Sequence, residues 1–186
     1  MRLGTGRRAS LNPLALLLVV PLALAGYLVW SNTVAQSRPC IESEIKLPAG
    51  VKPMQFGCGR ITITMPKGSV EIPVEVAETS EQTSRGLMYR TKMAEKAGMV
   101  FLFPAASRGG FWMQNTLIPL SIAFFDGRGI IRDILDMEPC RDVNCPVYTP
   151  RNDYIGALEV NKGFFAENDI LVGASVNLQR TDTKGK

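Results

Sequence analysis

The sequence predicts a mainly β chain of the α+β kind, an antiparallel barrel or sandwich carrying two short helices. Three observations carry this: apolar residues recur at every second position in short runs, turn residues separate those runs, and only two brief segments read as helix. No helical pattern of ten to fifteen residues alternates with the strands, so repeated βαβ winding is not expected.

The first strand signal is Ile61, Ile63 and Met65 alternating with Arg60, Thr62 and Thr64. After Pro66-Lys67-Gly68 the alternation resumes at Val70, Ile72, Val74 and Val76, which reads as a pair of half-buried strands. Pro73 lacks a ladder donor and places the second of them at an edge or a bulge. Thr79 with Gln82 resembles a capping box and opens a short helix to about Met88, followed by a less regular stretch through Ala97. Met99 to Phe103 is a continuous apolar run closed by Pro104, as in a strand buried on both faces. Phe111 to Met113 is a further short strand. Ser121 to Phe125 and Ile130 to Leu135 flank Asp126-Gly127-Arg128-Gly129, whose glycines supply the positive φ of a hairpin. Ile155 to Val160 reads as a strand, Asn161 to Asn168 as the second helix, and Ala174 to Leu178 as the closing strand.

Organisation along the chain follows from charge and hydropathy. Ala9 to Ser37 contains no charged residue, and Leu11 to Trp30 is long enough to cross a bilayer. With Arg2, Arg7 and Arg8 ahead of it, residues 1–35 read as a signal peptide or an N-terminal membrane anchor that sends the remainder out of the cytoplasm. Ala23-Leu24-Ala25 fits a cleavage site, whereas Tyr27 and Trp30 fit interfacial anchors, so both outcomes stay open. Residues 36–59, with Pro39, Pro48 and Pro53, read as an irregular arm, residues 60–180 as one β-rich domain, and 181–186 as a disordered tail.

Three of the four net positive charges sit in that leader, which leaves +1 for the rest and removes the support for nucleic-acid binding. Cys40, Cys58, Cys140 and Cys145 all follow the apolar segment, where disulfides persist. Three pairings are open in principle, and proximity in the chain favours Cys40–Cys58 and Cys140–Cys145. A zinc site needs grouped thiolates, usually with histidine, and the chain has no histidine. No metal or cofactor is expected.

The ordered fragments Ser84-Arg85-Gly86-Leu87-Met88, Gly98-Met99-Val100-Phe101, Phe111-Trp112-Met113 with Asn115-Thr116 and Ile118-Pro119-Leu120, Glu138-Pro139-Cys140, Cys145-Pro146 with Tyr148, and Ala157-Leu158-Glu159-Val160-Asn161 resemble domain-of-unknown-function family 192. The resemblance covers about Val70 to Leu178. It implies a compact barrel or jelly-roll-like sandwich, often in exported or membrane-tethered proteins, and brings no established activity. Cys40 and Cys58 lie outside it.

Phe111 to Leu120 is the densest group of residues that are costly to bury. Trp112, Met113, Asn115 and Thr116 form either a core corner with Asn115 bonded to its own turn, or one wall of a cleft for a flat polar ligand such as a carbohydrate. Arg85, Met88, Glu159 and Asn161 join them as candidate ligand-binding residues if they converge on one cavity; a salt bridge is the plainer account of the charges. Catalytic options are thin. No histidine can serve as a base near neutral pH, and oxidised cysteines are not nucleophiles. Paired carboxylates among Asp126, Asp133, Asp136, Glu138 and Glu159 are the remaining route to a small hydrolase or lyase. Met88, Met99, Met113 and Met137 are spread over separate elements, as core fillers rather than copper ligands. The reading is a non-catalytic extracytoplasmic domain for a small molecule or an envelope protein partner.

Overall fold

The computed structural model describes residues 39–142 and 144–181. The apolar leader and the expected tail beyond Thr181 lie outside these residues, and among those described no helix is long and apolar enough to cross a membrane. Among the described residues, eleven strands and two short helices follow one another: β1 (Ser43–Ile45), β2 (Gly57–Met65), β3 (Gly68–Ala77), α1 (Ser80–Arg85), β4 (Arg90–Met93), β5 (Gly98–Ser107), β6 (Phe111–Trp112), β7 (Leu120–Phe125), β8 (Ile131–Met137), β9 (Val147–Tyr148), β10 (Tyr154–Asn161), α2 (Phe164–Glu167) and β11 (Ser175–Arg180).

Seven of the strands form one sheet in the order β11-β2-β3-β5-β10-β7-β8, and β1-β4 and β6-β9 form two small ribbons. Side chains alternate across each strand, and here both faces are covered. One face carries Ile61, Ile63, Ile72, Val74, Val100, Leu158 and Val160 against Phe164 and Phe165 of α2. The opposite face carries Met99, Phe101, Ile122, Phe124 and Ala157 against Ile41, Leu87, Met93, Met113 and Ile118 from the overlying arm, loops and ribbons. Burial on both faces explains why β5 and β7 read as continuous apolar runs.

The edge strands β8 and β11 touch at one corner, through the bridge between Ile130 and Ser175 and the bonds from Ile131 N–H to Ala174 O (2.9 Å) and from Val176 N–H to Gly129 O (2.7 Å). A third bond, from Gly173 N–H to Ile131 O (2.9 Å), lies at the same corner, but β8 and β11 form no continuous ladder, so the sheet is not closed into a barrel and the arrangement is sandwich-like.

Several local expectations change. The pairing of β3 with β5 is parallel, with Val74 opposite Gly98, because α1 and β4 carry the chain across between them. Pro73 therefore lies in an internal strand. It escapes the cost because the ladder with β5 begins one residue later, leaving its missing donor facing no partner on that side. The irregular arm contains β1, paired with β4, and the second helix shortens to Phe164–Glu167 because Asn161 ends β10.

The capping box forms as read, with Thr79 Oγ1 accepting from Gln82 N–H at 3.2 Å and Gln82 Oε1 accepting from Thr79 N–H at 3.1 Å. The β7–β8 hairpin also forms, although Gly129 alone of its glycines takes a positive φ (75°). Both disulfides join the expected neighbours, Cys40 to Cys58 and Cys140 to Cys145, with Cα atoms 5.2 and 5.8 Å apart.

Candidate functional site

Glu159 sits in β10 between Met99 of β5 and Ile122 of β7. Two-residue periodicity puts it on the same face as Ala157, beneath the overlying layer rather than toward solvent. It is 5% exposed, and among the described residues its carboxyl makes no hydrogen bond and no ion pair. Burial pushes its pKa up to about 8, with no cation near enough to oppose the shift. A buried acid without a partner is costly, and a fold keeps one only where something else is gained.

The carboxyl looks into a cavity of about 30 Å³. One side of that cavity is the end of α1, with Thr83, Ser84 and Arg85, followed by Gly86, Leu87 and Met88; the other is Phe101, Phe111, Trp112 and Thr116. The volume is roughly that of a single small polar group or one or two waters. Gly86 closes the helix at φ 46°, and a Cβ there would stand 3.4 Å from the Phe101 ring, so the wall is close-fitting at this point. Phe111 packs edge-on to Phe101 and Phe124 with ring centres 5.1 and 5.5 Å away, while Trp112 is 51% exposed at the rim.

The turn holding Thr116 is pinned by two left-handed residues, Tyr89 (φ 65°) and Asn115 (φ 57°). Tyr89 N–H donates to Asn115 O at 2.9 Å, and Asn115 N–H donates to Cys140 O at 3.0 Å. Thus the disulfide-closed loop, the Trp112 segment and the α1–β4 turn are bonded in series. Asn tolerates this backbone region, whereas Tyr adopts it at a cost, and such strain concentrates at functional sites.

Of the sequence-derived candidates, Arg85, Met88, Trp112, Thr116 and Glu159 line this one cavity. Arg85 does not pair with Glu159. Its Nη1 donates to Lys52 O at 3.2 Å, and its guanidinium lies 5.6 Å from the centre of the Tyr89 ring. Asn115 contributes backbone bonds rather than a lining side chain, and Met113 is a buried core residue. Asn161 turns to the arm side, donating from Nδ2 to Ala94 O at 2.8 Å. Glu138 is exposed in an ion pair with Lys162, so the cavity holds no second carboxylate. Met99, Met113 and Met137 are buried in the core, and no cluster of three metal-ligating side chains occurs among the described residues.

One pair escaped sequence reasoning. Arg90 is 2% exposed, bonds Glu75 and Ser43, and leaves its Nε without a partner. Burial raises the Glu75 pKa and lowers that of Arg90, each opposed by the other's charge. Glu75 alternates with Val74 and Val76 as a surface residue would, and only the overlying arm makes its face interior. Arg90 also lines a second cavity of about 260 Å³ with Ile45, Leu47 and Phe56, which shares Arg85, Gly86 and Met88 with the first.

Comparison with known proteins agrees with these fragments. The model of DUF192, described as an uncharacterized ACR, matches residues 62–178. The chain belongs to the DUF192 family. The match includes every residue lining the Glu159 cavity and excludes Cys40 and Cys58, so the first disulfide is outside the DUF192 region. No curated protein matches the chain. Among solved structures, a candidate transcription regulator from Sinorhizobium meliloti is similar at 27% identity and a TM-score of 0.64, covering 68% of this chain and 98% of its own. A protein of unknown function from Novosphingobium aromaticivorans is similar at 26% identity and a TM-score of 0.60, covering 73% and 92%.

Proposed function

We propose that this DUF192 chain is a non-catalytic extracytoplasmic domain that binds a small polar molecule in the Glu159 cavity. The observation that carries the reading is the buried carboxyl of Glu159, which faces a walled space and has no protein partner. Trp112 offers an exposed aromatic face at the entrance, suited to a flat polar ring such as a sugar. Val147, opposite Trp112 in the β6–β9 ribbon and 62% exposed, extends that apolar rim and gives an envelope protein a place to meet the same site.

The extracytoplasmic setting rests on the apolar leader and the two disulfides, which persist in oxidising compartments. Several surface cations are matched, Arg60 with Glu71, Arg132 with Asp126 and Arg180 with Glu78, and outside the leader positive and negative residues are interspersed rather than clustered, which favours a small ligand over nucleic acid.

Thermal-shift and Trp fluorescence titrations against monosaccharides and small polar metabolites test the reading. Trp112→Ala and Glu159→Gln should each weaken binding about tenfold or more while leaving the fold intact. Unchanged affinity in both variants would place the ligand elsewhere.

A second reading is a hydrolase or lyase in which Glu159 is a general acid, favoured by its raised pKa of about 8. It lacks a second carboxylate in the cavity. Turnover abolished in Glu159→Gln with binding retained would favour it over the first.

A further inference from the structure

We infer that the Glu159 cavity receives a primary ammonium group at the end of a small molecule, with the Glu159 carboxylate as its counter-ion. The inference rests on the ligand-binding reading of this cavity and names the chemistry that it selects.

Charge comes first. Glu159 is the only acidic side chain lining the cavity, and it is unpaired among the described residues. A cation entering the space would supply the missing partner to the carboxylate where the local dielectric is low, once the acid gives up its proton. The nearby cation is already committed: Arg85 bonds Lys52 O and stacks on Tyr89, so it neither neutralises Glu159 nor fills the space.

Size narrows the cation. About 30 Å³ accommodates an ammonium group, and the close approach of Gly86 to the Phe101 ring favours such a small head over a bulkier trimethylammonium or guanidinium. The walls suit a cation as well. Phe101, Phe111 and Trp112 present aromatic rings, and the Thr116 hydroxyl, which has no side-chain hydrogen bond among the described residues, offers a second acceptor. The half-exposed Trp112 marks the side on which the rest of the ligand would leave the cavity.

The acid's titration gives the proposal a signature. Glu159 is protonated in the empty site below a pKa of about 8, so a cation that pairs with its carboxylate must displace that proton. A neutral ligand, bound by the protonated acid, displaces none.

The test is calorimetry on the full chain with n-butylammonium, n-butyltrimethylammonium, n-butanol and methyl glucoside, in buffers of differing ionisation enthalpy. The expected result is that n-butylammonium binds with release of about one proton near pH 6 and almost none near pH 9, its affinity rising about tenfold per pH unit below the Glu159 pKa. The trimethyl analogue should bind at least tenfold more weakly, and Glu159→Gln should lose at least tenfold for n-butylammonium. Proton release in the wild-type chain stands as evidence even if that variant folds poorly. Binding of n-butanol or methyl glucoside without n-butylammonium overturns the ammonium inference and leaves the ligand-binding reading standing. Silence from all four probes overturns both.

Discussion

At the scale of single residues, Glu159 and Arg90 show two ways of living with a buried charge. Arg90 keeps its charge by pairing with Glu75, while Glu159 has no partner and keeps its proton instead. The consequence for stability has a definite sign. A carboxyl whose folded pKa is raised binds more protons folded than unfolded, so its neutral form is free of penalty below the unfolded value near pH 4.5 and stability falls as pH climbs toward about 8. Glu159→Gln removes that slope. Denaturant unfolding near pH 5 and near pH 8 should show the wild-type chain losing a few kcal/mol more than the variant between the two, an order-of-magnitude figure from the size of the shift. Parallel pH profiles would mean that the carboxyl is solvated or paired. Asp126 is the opposite case: partial burial acts to raise its pKa, but Arg132 and the N–H groups of Ile130 and Arg128 outweigh it and hold the carboxyl at about 2.

At the scale of elements, the cavity depends on how α1, β6 and the Cys140–Cys145 loop are tied together. Asn115 is the knot. Its left-handed backbone lets one peptide pair serve both Tyr89 and Cys140. A β-branched residue cannot hold that conformation cheaply, so Asn115→Val should cost about 1–2 kcal/mol in unfolding free energy and Asn115→Gly much less. Equal losses would shift the importance of the position to its side-chain amide.

Much of this was readable in advance. The apolar alternation in β2 and β3, the capping box at Thr79 and the Asp126 hairpin are local signals, written within a few neighbouring residues. Glu159 was legible as a candidate in the late strand, with a salt bridge as the plainer account; its burial without a protein partner was not, because the segments that cover it come from distant parts of the chain. Less legible were β1, β4 and β9, whose pairing partners come from distant segments and whose sequences carry little alternation. The parallel pairing of β3 with β5 was hidden for the same reason, since a crossover as short as α1 plus β4 leaves no periodic helical signature.

At the scale of the whole molecule, one seven-stranded sheet is buried on both faces, and its two layers have different tasks. The α2 side is apolar packing apart from Ser121, which accepts from Gly163 N–H at 3.0 Å, whereas the arm side admits Arg90, Glu75, Thr116 and Glu159 into its interior. Hydrophobic burial on one face thus supports a polar site on the other. The disulfides reinforce the polar layer: Cys40–Cys58 fixes the arm to the start of β2, and Cys140–Cys145 closes the loop beneath Asn115. The central claim is that this layer buries Glu159 without a protein partner. A pH titration of its side-chain carboxyl by carbon-13 NMR on the free protein tests that directly. A midpoint at about 8 is the predicted result, and a midpoint in the ordinary glutamate range of about 4–5 would contradict the account.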